Sequence, residues 1–242
     1  MIFNVIIPLA GDGKRFKEKG IKTPKPLIKF YNKTLIETSI DSLNIKKANY
    51  YFIIKKYKQK KYNLKLINIL KKYKPKKIIS INKTLNGPVY TLLKVKKINR
   101  NYPLIIANCD QYMRWNINDF KNFIKAQNPD GCVLTYKSKN KKNSFVKLKN
   151  GLAIKFAEKK PISNQALIGV HYWKRTRDFF NSAKKYVKSI NKNNEAYVSE
   201  TYNYMLKNKK IKIYELDKKK FYLLGTPKDM ERQIKNLKNE KK

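Results

Sequence analysis

The feature that most constrains this chain is how it begins: an apolar run over residues 3–8 breaks directly into Leu9-Ala10-Gly11-Asp12-Gly13. A short apolar run bounded by glycines reads as a buried strand followed by a loop. Glycines at that point let backbone N–H groups approach a phosphate or a base with no side chain in the way. Arg15 and Lys25 add cations for triphosphate oxygens, and Lys25 stands between Pro24 and Pro26 on a stiffened segment. By itself the Gly-x-Gly is equally an ordinary surface turn. The third glycine of the Rossmann fingerprint and the Gly-Lys-Ser/Thr of the P-loop are both missing.

Further along, Thr34-Leu35-Ile36-Glu37 has the spacing of a capping box, and Leu35, Ile36, Ile40 and Leu43 follow at helical intervals. Strands are predicted over residues 50–54, 77–81 and 104–107, separated by helical stretches around Leu64, Ile67 and Leu70, then Leu92, Leu93 and Ile98. Strands alternating with helices imply an α/β fold: a Rossmann-like, doubly wound mixed sheet in three α/β/α layers. Ligands in such sheets bind at the carboxyl ends of the strands. The glycine loop after the first strand and Asp110 after the fourth are therefore expected on one rim.

Beyond Gly131 the pattern changes. Strands are predicted over residues 132–136, 145–148, 153–157 and 167–173, with Lys149-Asn150-Gly151 as the turn of a tight hairpin. A helix bearing Phe179, Phe180, Ala183, Tyr186 and Val187 follows, then one including Tyr202 and Met205. Thr226 and Pro227 have the cap and first-turn chemistry of a last helix over residues 227–237. The expectation is one domain over residues 1–242, with a nucleotide-binding half (1–130), an acceptor half (131–237) and a frayed tail (238–242).

Lysine and arginine number 58 against 16 acids, a formal charge of +42, which invites a nucleic-acid reading. The lysines are spread along the whole chain, however, and arginine, the usual base reader, occurs only at Arg15, Arg100, Arg114, Arg175, Arg177 and Arg232. Lys, Asn, Ile and Tyr share codons rich in A and T, so a biased genome explains the composition more simply, and no specific nucleic-acid partner is expected. Such a surface still draws in polyanionic small substrates at low salt. Cys109 and Cys132 lack metal-ligand spacing and His171 is the one histidine, so any metal must sit on oxygen ligands. His171 is expected to pack within its strand. No apolar run is long enough to span a bilayer, and no charge precedes the first apolar stretch as in a secretory signal, so the expectation is a soluble cytoplasmic protein.

Taken together, Leu-Ala-Gly-x-Gly-x-Arg-Phe at residues 9–16 and Pro-Lys-Pro-Leu at residues 24–27 resemble the signature of the sugar-phosphate nucleotidyltransferases. Asn108-Cys109-Asp110-Gln111 resembles that family's metal-binding aspartate motif. Glu158-Lys159-Lys160-Pro161 and Gly169-Val170-His171-Tyr172 are similar to its sugar-pocket segment. Asn194-Glu195-Ala196-Tyr197-Val198 and Leu224-Gly225-Thr226-Pro227 resemble the closing motifs of a branch associated with bacterial surface-polysaccharide synthesis.

The resemblance implies a fold of the nucleotide-diphospho-sugar transferase type and Mg²⁺-dependent condensation of a nucleoside triphosphate with a sugar 1-phosphate, releasing pyrophosphate. It implies catalytic roles for Arg15, Lys25 and Asp110, and nucleotide contacts from Leu9, Ala10, Gly11, Gly13 and Lys14, with Asn86 and Gly87 in the base-contacting loop. Sugar-phosphate contacts would come from Glu158, Lys159, Gly169 and Glu195. Asp110 is the expected metal ligand. Many relatives carry a second metal-binding aspartate two residues before the glycine of Gly-Thr-Pro, where this chain has Leu223, so Glu195 is the expected substitute, binding either the metal or a sugar hydroxyl. The acceptor could instead be a phosphorylated polyol, amino-alcohol or cofactor precursor. A basic RNA-binding protein on a degenerate enzyme scaffold is the rival from another class.

Overall fold

The computed structural model describes residues 1–239. The chain runs β1 (Phe3–Leu9), α1 (Lys14–Lys17), β2 (Lys29–Phe30), β3 (Lys33–Thr34), α2 (Leu35–Leu43), β4 (Ala48–Lys55), α3 (Lys60–Lys71), β5 (Lys77–Ile81), α4 (Pro88–Leu92) and β6 (Leu104–Ala107). It continues through β7 (Gln111–Met113), α5 (Ile117–Gln127), β8 (Gly131–Lys137), β9 (Ser144–Lys149), β10 (Leu152–Glu158), β11 (Gln165–Trp173), α6 (Thr176–Ser189), α7 (Val198–Thr201), β12 (Ile211–Glu215), β13 (Phe221–Leu223) and α8 (Pro227–Asn239).

Among the described residues the main sheet has nine strands. Strands β6, β1, β4 and β5 lie parallel, and β11 joins antiparallel to β6 through Val170↔Ala107 to Trp173↔Leu104. Strand β11 also pairs with β8, which carries β12 on its other edge, and β9 and β10 form a hairpin. The second half of the chain thus extends the sheet begun by the first.

Alternation along each strand splits the core in two, because successive side chains point to opposite faces. Val5 and Ile7, Ile105 and Ala107, and Val170 and Tyr172 face one way, where α2, α3 and α5 bring Ile36, Leu66 and Phe120. Ile6, Ile106, His171 and Trp173 face the other, where α4 and α6 bring Val89, Phe179 and Ala183. The result is a mixed sheet with helices on both faces, as the alternating pattern requires. A third cluster, including Phe16, Tyr222, Leu224 and Met230, seats α8 over the end that carries the glycine loop.

Local rules decide the element ends. Thr34 caps α2 in a full capping box with Glu37, and the β9–β10 turn places Asn150 at φ 52° and Gly151 at φ 71°. The structure also departs from the sequence reading. Helix α4 stops at Leu92, because Val95 turns back by a bond from its N–H to the Leu92 carbonyl and is buried, so Ile98 lies outside it. The helix expected through Tyr202 and Met205 is the four-residue α7 followed by a 3₁₀ turn at Tyr202–Tyr204. Strands β2, β3, β7, β12 and β13 are additions to the elements that the sequence predicts. Helix α8 runs to Asn239, and residues 240–242 of the expected frayed tail lie outside the described residues.

Candidate active site

The site begins where β1 ends. Ala10 is buried, Gly11 is open to solvent, and Gly13 turns the chain at φ 64° to start α1. A side chain at 13 would be strained by that φ and would press on Lys25, whose Cβ lies 3.1 Å from where the new atom would stand. Gly13 therefore lets the proline-flanked segment lie against the loop. Lys25 Nζ then reaches Asp110 Oδ2 at 2.5 Å, an ion pair between residues 85 positions apart. Burial is the largest single influence and works against the Lys25 charge, but its neighbours, the Asp110 carboxylate foremost, together raise the lysine above its ordinary pKa, while Arg15 opposes that gain. Neighbouring Cys109 is pushed by burial to about 11 and stays a neutral thiol.

Arg15 and Asp110 line a cavity of about 1070 Å³ that also touches Gly169, Glu158, His171 and Gly225. Gly169 has φ 86°, and a Cβ there would lie 2.9 Å from Asn108 Cγ, so only glycine lets Asn108 cross this strand beside the Asp110 loop. Its carbonyl accepts from the Asn108 N–H at 3.0 Å. Glu158 accepts from the hydroxyls of Ser144 and, at 3.3 Å, Ser199; burial raises its carboxyl pKa. The His171 ring stacks near Trp173 and Tyr202, and burial pulls its pKa down to about 3, so the imidazole is neutral. It packs within its strand, yet its edge reaches the cavity.

The other residues singled out from sequence fall into two groups beside the cavity. Asn86 and Gly87 dock on the segment around Ala196. The Asn86 carbonyl accepts from the Ala196 N–H at 3.0 Å, and its side-chain amide donates to the carbonyls of Lys192 (2.9 Å) and Asn194 (3.1 Å). Gly87, at φ 103°, would bring a Cβ within 2.6 Å of the Ala196 carbonyl oxygen. Lys159 donates to the Tyr197 hydroxyl at 2.6 Å and stands 3.8 Å from Glu195, to which Tyr197 also donates. Glu195 and Lys159 sit together at the surface, more than half exposed, and neither lines the cavity. Lys14 is exposed.

The sequence reading missed two residues on the glycine loop's outer flank. Lys55, at the end of β4, pairs with Asp12, and Thr84 Oγ1 donates to Asp12 at 2.8 Å and lies 2.9 Å from the Ala10 carbonyl oxygen. Partial burial pushes the Asp12 carboxyl up, but Lys55 and Thr84 together hold it below its ordinary value. Their signal was positional: both follow strands of the parallel sheet, on the rim where ligands bind.

As a metal donor set, this end of the sheet offers the Asp110 carboxylate. Leu223 stands opposite Gln111 in the β7–β13 pair, and the Leu224 N–H donates to the Asp110 carbonyl at 2.9 Å. No group of three or more His, Cys, Asp or Glu among the described residues is placed to hold a metal ion. One carboxylate completed by phosphate oxygens suits a hard divalent ion.

Comparison with known proteins agrees with this fold. The chain superposes on a nucleoside-diphosphate-sugar pyrophosphorylase from Vibrio cholerae RC9 with a TM-score of 0.81 at 20% identity, covering 96% of this chain and 99% of that one. It superposes on a UDP-glucose pyrophosphorylase complexed with UDP-glucose with a TM-score of 0.74 at 18% identity, all of both chains being covered. For the inositol-1-phosphate CTP transferase of T. maritima the TM-score is 0.69 at 13% identity, covering 98% and 94%. At these identities the likeness is one of fold. No curated sequence matches the chain. The nucleotidyl transferase family model matches residues 4–240. With every strand but the first residue of β1, the glycine loop and the Asp110 rim inside that match, the chain belongs to the nucleotidyl transferase family.

Proposed function

We propose that the protein condenses a nucleoside triphosphate with a sugar 1-phosphate, giving a nucleotide sugar and pyrophosphate for polysaccharide or glycoconjugate synthesis. The observation that carries this reading is that Arg15 and Asp110, the latter paired with Lys25, line one large cavity together with Glu158, Gly169 and His171. An acceptor phosphate oxygen attacks the α-phosphorus, a new P–O bond forms, and the bond to the β-phosphate oxygen breaks to release pyrophosphate. The attacking oxygen is already anionic near neutral pH, so no general base is needed, which fits a cavity whose one histidine is held neutral.

The residues then act by position and charge. The glycine loop admits the triphosphate, with backbone amides rather than side chains facing it. Arg15 and Lys25 screen two polyanions and stabilise charge moving onto the leaving pyrophosphate. Asp110 would hold a Mg²⁺ ion, which when bound neutralises phosphate charge. Glu158, fixed by Ser144 and Ser199, is an acceptor for a sugar hydroxyl. A phosphorylated polyol is the second reading, supported by the shared fold of the inositol-1-phosphate CTP transferase.

A matrix of ATP, GTP, CTP, UTP and dTTP against hexose 1-phosphates, inositol 1-phosphate, ribitol 5-phosphate and phosphocholine, scored by pyrophosphate released, tests the proposal. The expected result is one triphosphate and one hydroxylated phosphate standing well above the rest. No release from any pair, with tight RNA binding at physiological salt, would replace it with the RNA-binding alternative.

A further inference from the structure

The lysines are spread along the chain, but the acids are not. From residue 42 to residue 109 there are 17 lysines, one arginine and no Asp or Glu, where an even spread would place about four of the 16 acids. That stretch forms β4, α3, β5, α4 and β6. Strands β6, β1, β4 and β5 are parallel neighbours in that order, so their amino ends share one face, opposite the glycine loop. Lys96 and Lys97 precede β6, Lys46 and Lys47 precede β4, and Lys76 and Lys77 stand at the start of β5. All six are exposed and, among the described residues, in no ion pair. Asp41, Asp130 and Asp178 lie at the same end, but each is engaged, by Lys33, Lys209 and Arg175 in turn. Met1 and Ile2 enter β1 between the lysines of β6 and β4, and Tyr102 enters β6. At 66%, 50% and 39% exposure these are three of the seven large apolar side chains left open among the described residues. A cavity of about 600 Å³ opens on this face, with Ile2, Ile40 and Tyr50 on its walls and Lys46, Lys47 and Lys74 among its lining residues.

We propose that this amino-end face docks on an anionic lipid bilayer. Neighbouring strands stand about 4.8 Å apart, so the four strand entries form a strip roughly 15 Å long that several lipid headgroups can cover at once. The lysines gain from the lipid phosphates, while Met1, Ile2 and the Tyr102 ring enter the headgroup boundary, where aliphatic chains and amphipathic rings are both favoured. The cavity joins an apolar wall to a lysine rim, the pairing that a phosphate on a glycerol backbone requires. A nucleic acid would satisfy the lysines but leave the aliphatic side chains in water. The glycine loop and Asp110 follow the carboxyl ends of β1 and β6, so a molecule docked in this way keeps its large cavity facing away from the lipid. Docking does not depend on which reaction that cavity performs.

Sedimentation with sucrose-loaded vesicles tests this on the full-length protein. At about 100 mM salt the protein should pellet with phosphatidylcholine vesicles containing about 30% phosphatidylglycerol, stay in solution with phosphatidylcholine alone, and be released as salt rises. The combined variant Lys46→Gln, Lys47→Gln, Lys96→Gln and Lys97→Gln should lower the partition coefficient by at least ~100-fold, at about 5-fold for each charge. A control variant, Lys58→Gln, Lys60→Gln, Lys61→Gln and Lys65→Gln, removes the same charge around the start of α3, towards the other end of the sheet, and should lower it by less than ~5-fold. All eight lysines are exposed, so both variants should keep the circular dichroism of the unmodified protein. Ile2→Ser with Tyr102→Ser should weaken binding to the anionic vesicles by about 5-fold with the same salt dependence. Equal losses from the two lysine variants would assign binding to overall charge and overturn the proposal, as would failure to pellet with anionic vesicles. Binding to single-stranded RNA at about 150 mM salt that the first variant alone weakens, with none to vesicles, would overturn it in favour of a nucleic-acid partner.

Discussion

Around the glycine loop and Asp110 the charged groups are bound to one another, whereas along the cavity wall buried polar groups keep hydrogen-bonding capacity in reserve. Lys25 holds Asp110 and Lys55 holds Asp12, so cations and carboxylates are paired across loops far apart in sequence. Next to Asp110 and further along the same cavity, Gln111 Nε2 and His171 Nδ1 are buried and, among the described residues, without a partner. Buried orphans of this kind cost about 1–3 kcal/mol each and call for a reason. On the proposed reaction, the difference teaches how one cavity would handle two kinds of substrate. Charge that is already paired can be handed to a polyanion without first being stripped of water, while unused neutral donors and acceptors suit the hydroxyls of an uncharged body. On that proposal the charged pairs would set affinity, and the neutral groups would set choice through shape and hydrogen bonds.

The largest expected effect breaks the charged wall. Asp110→Asn should lower turnover by roughly 10³-fold, the several kcal/mol that a metal-held charge contributes, with circular dichroism unchanged. A fall of less than ~10-fold in pyrophosphate release would take Asp110 out of the reaction. Next comes the joint between the walls. Gly87→Ala combines φ 103° with a Cβ set against the Ala196 backbone, and should cost about 2–3 kcal/mol in urea unfolding. A cost near zero would mean that the 86–87 and 194–196 segments are not locked together in solution.

The neutral wall has a pH signature. His171 is held near 3 by burial against 6.5 when unfolded, so between those values the unfolded chain binds the proton and the folded chain does not. Stability should therefore fall as pH drops from about 6.5 towards 3, by up to about 1.4 kcal/mol per pH unit from this residue. His171→Phe, which keeps a ring beside Trp173, should flatten that slope relative to the unmodified protein; an identical slope would show that the imidazole is protonated or water-bonded in the fold. The smallest effect is expected at the loop's outer flank. Thr84→Val removes one hydroxyl that bridges Asp12 and Ala10, worth about 1 kcal/mol, and should raise the triphosphate KM by roughly 5-fold with the acceptor KM unchanged. Equal changes in both would assign Thr84 to general stability instead.

Much of the scaffold was legible because local rules and core packing agree. The Thr34 box, the Asn150-Gly151 turn and the alternation in β1, β6 and β11 each state their structure within a few residues. Strands β7 and β13 were not legible, since three residues carry no period and their pairing joins Gln111 to Leu223 across the chain. Strand β12 did show a signal, Ile211 and Ile213 flanking Lys212, but it is too short to separate from a loop without β8 beside it. The helix expected to include Tyr202 and Met205 ends at Thr201, and Tyr202 instead stacks on Trp173 from a 3₁₀ turn, a contact that the local sequence does not state.

The same division holds for the site. Glycine, arginine and the proline-flanked lysine are written in order along the chain, and their chemistry follows from residue type: a bare backbone, fixed cations, and a carboxylate after a strand. By itself the sequence determined an α/β sheet with phosphate-handling groups on the strand ends. Only the tertiary structure decided that Lys25 and Asp110 meet at 2.5 Å, that Glu195 turns to Lys159, and that Lys55 and Thr84 brace the glycine loop. The physical reason is range. Strand period and capping act over a few residues, whereas an ion pair between residues 85 apart exists only after hydrophobic burial has fixed every strand between them.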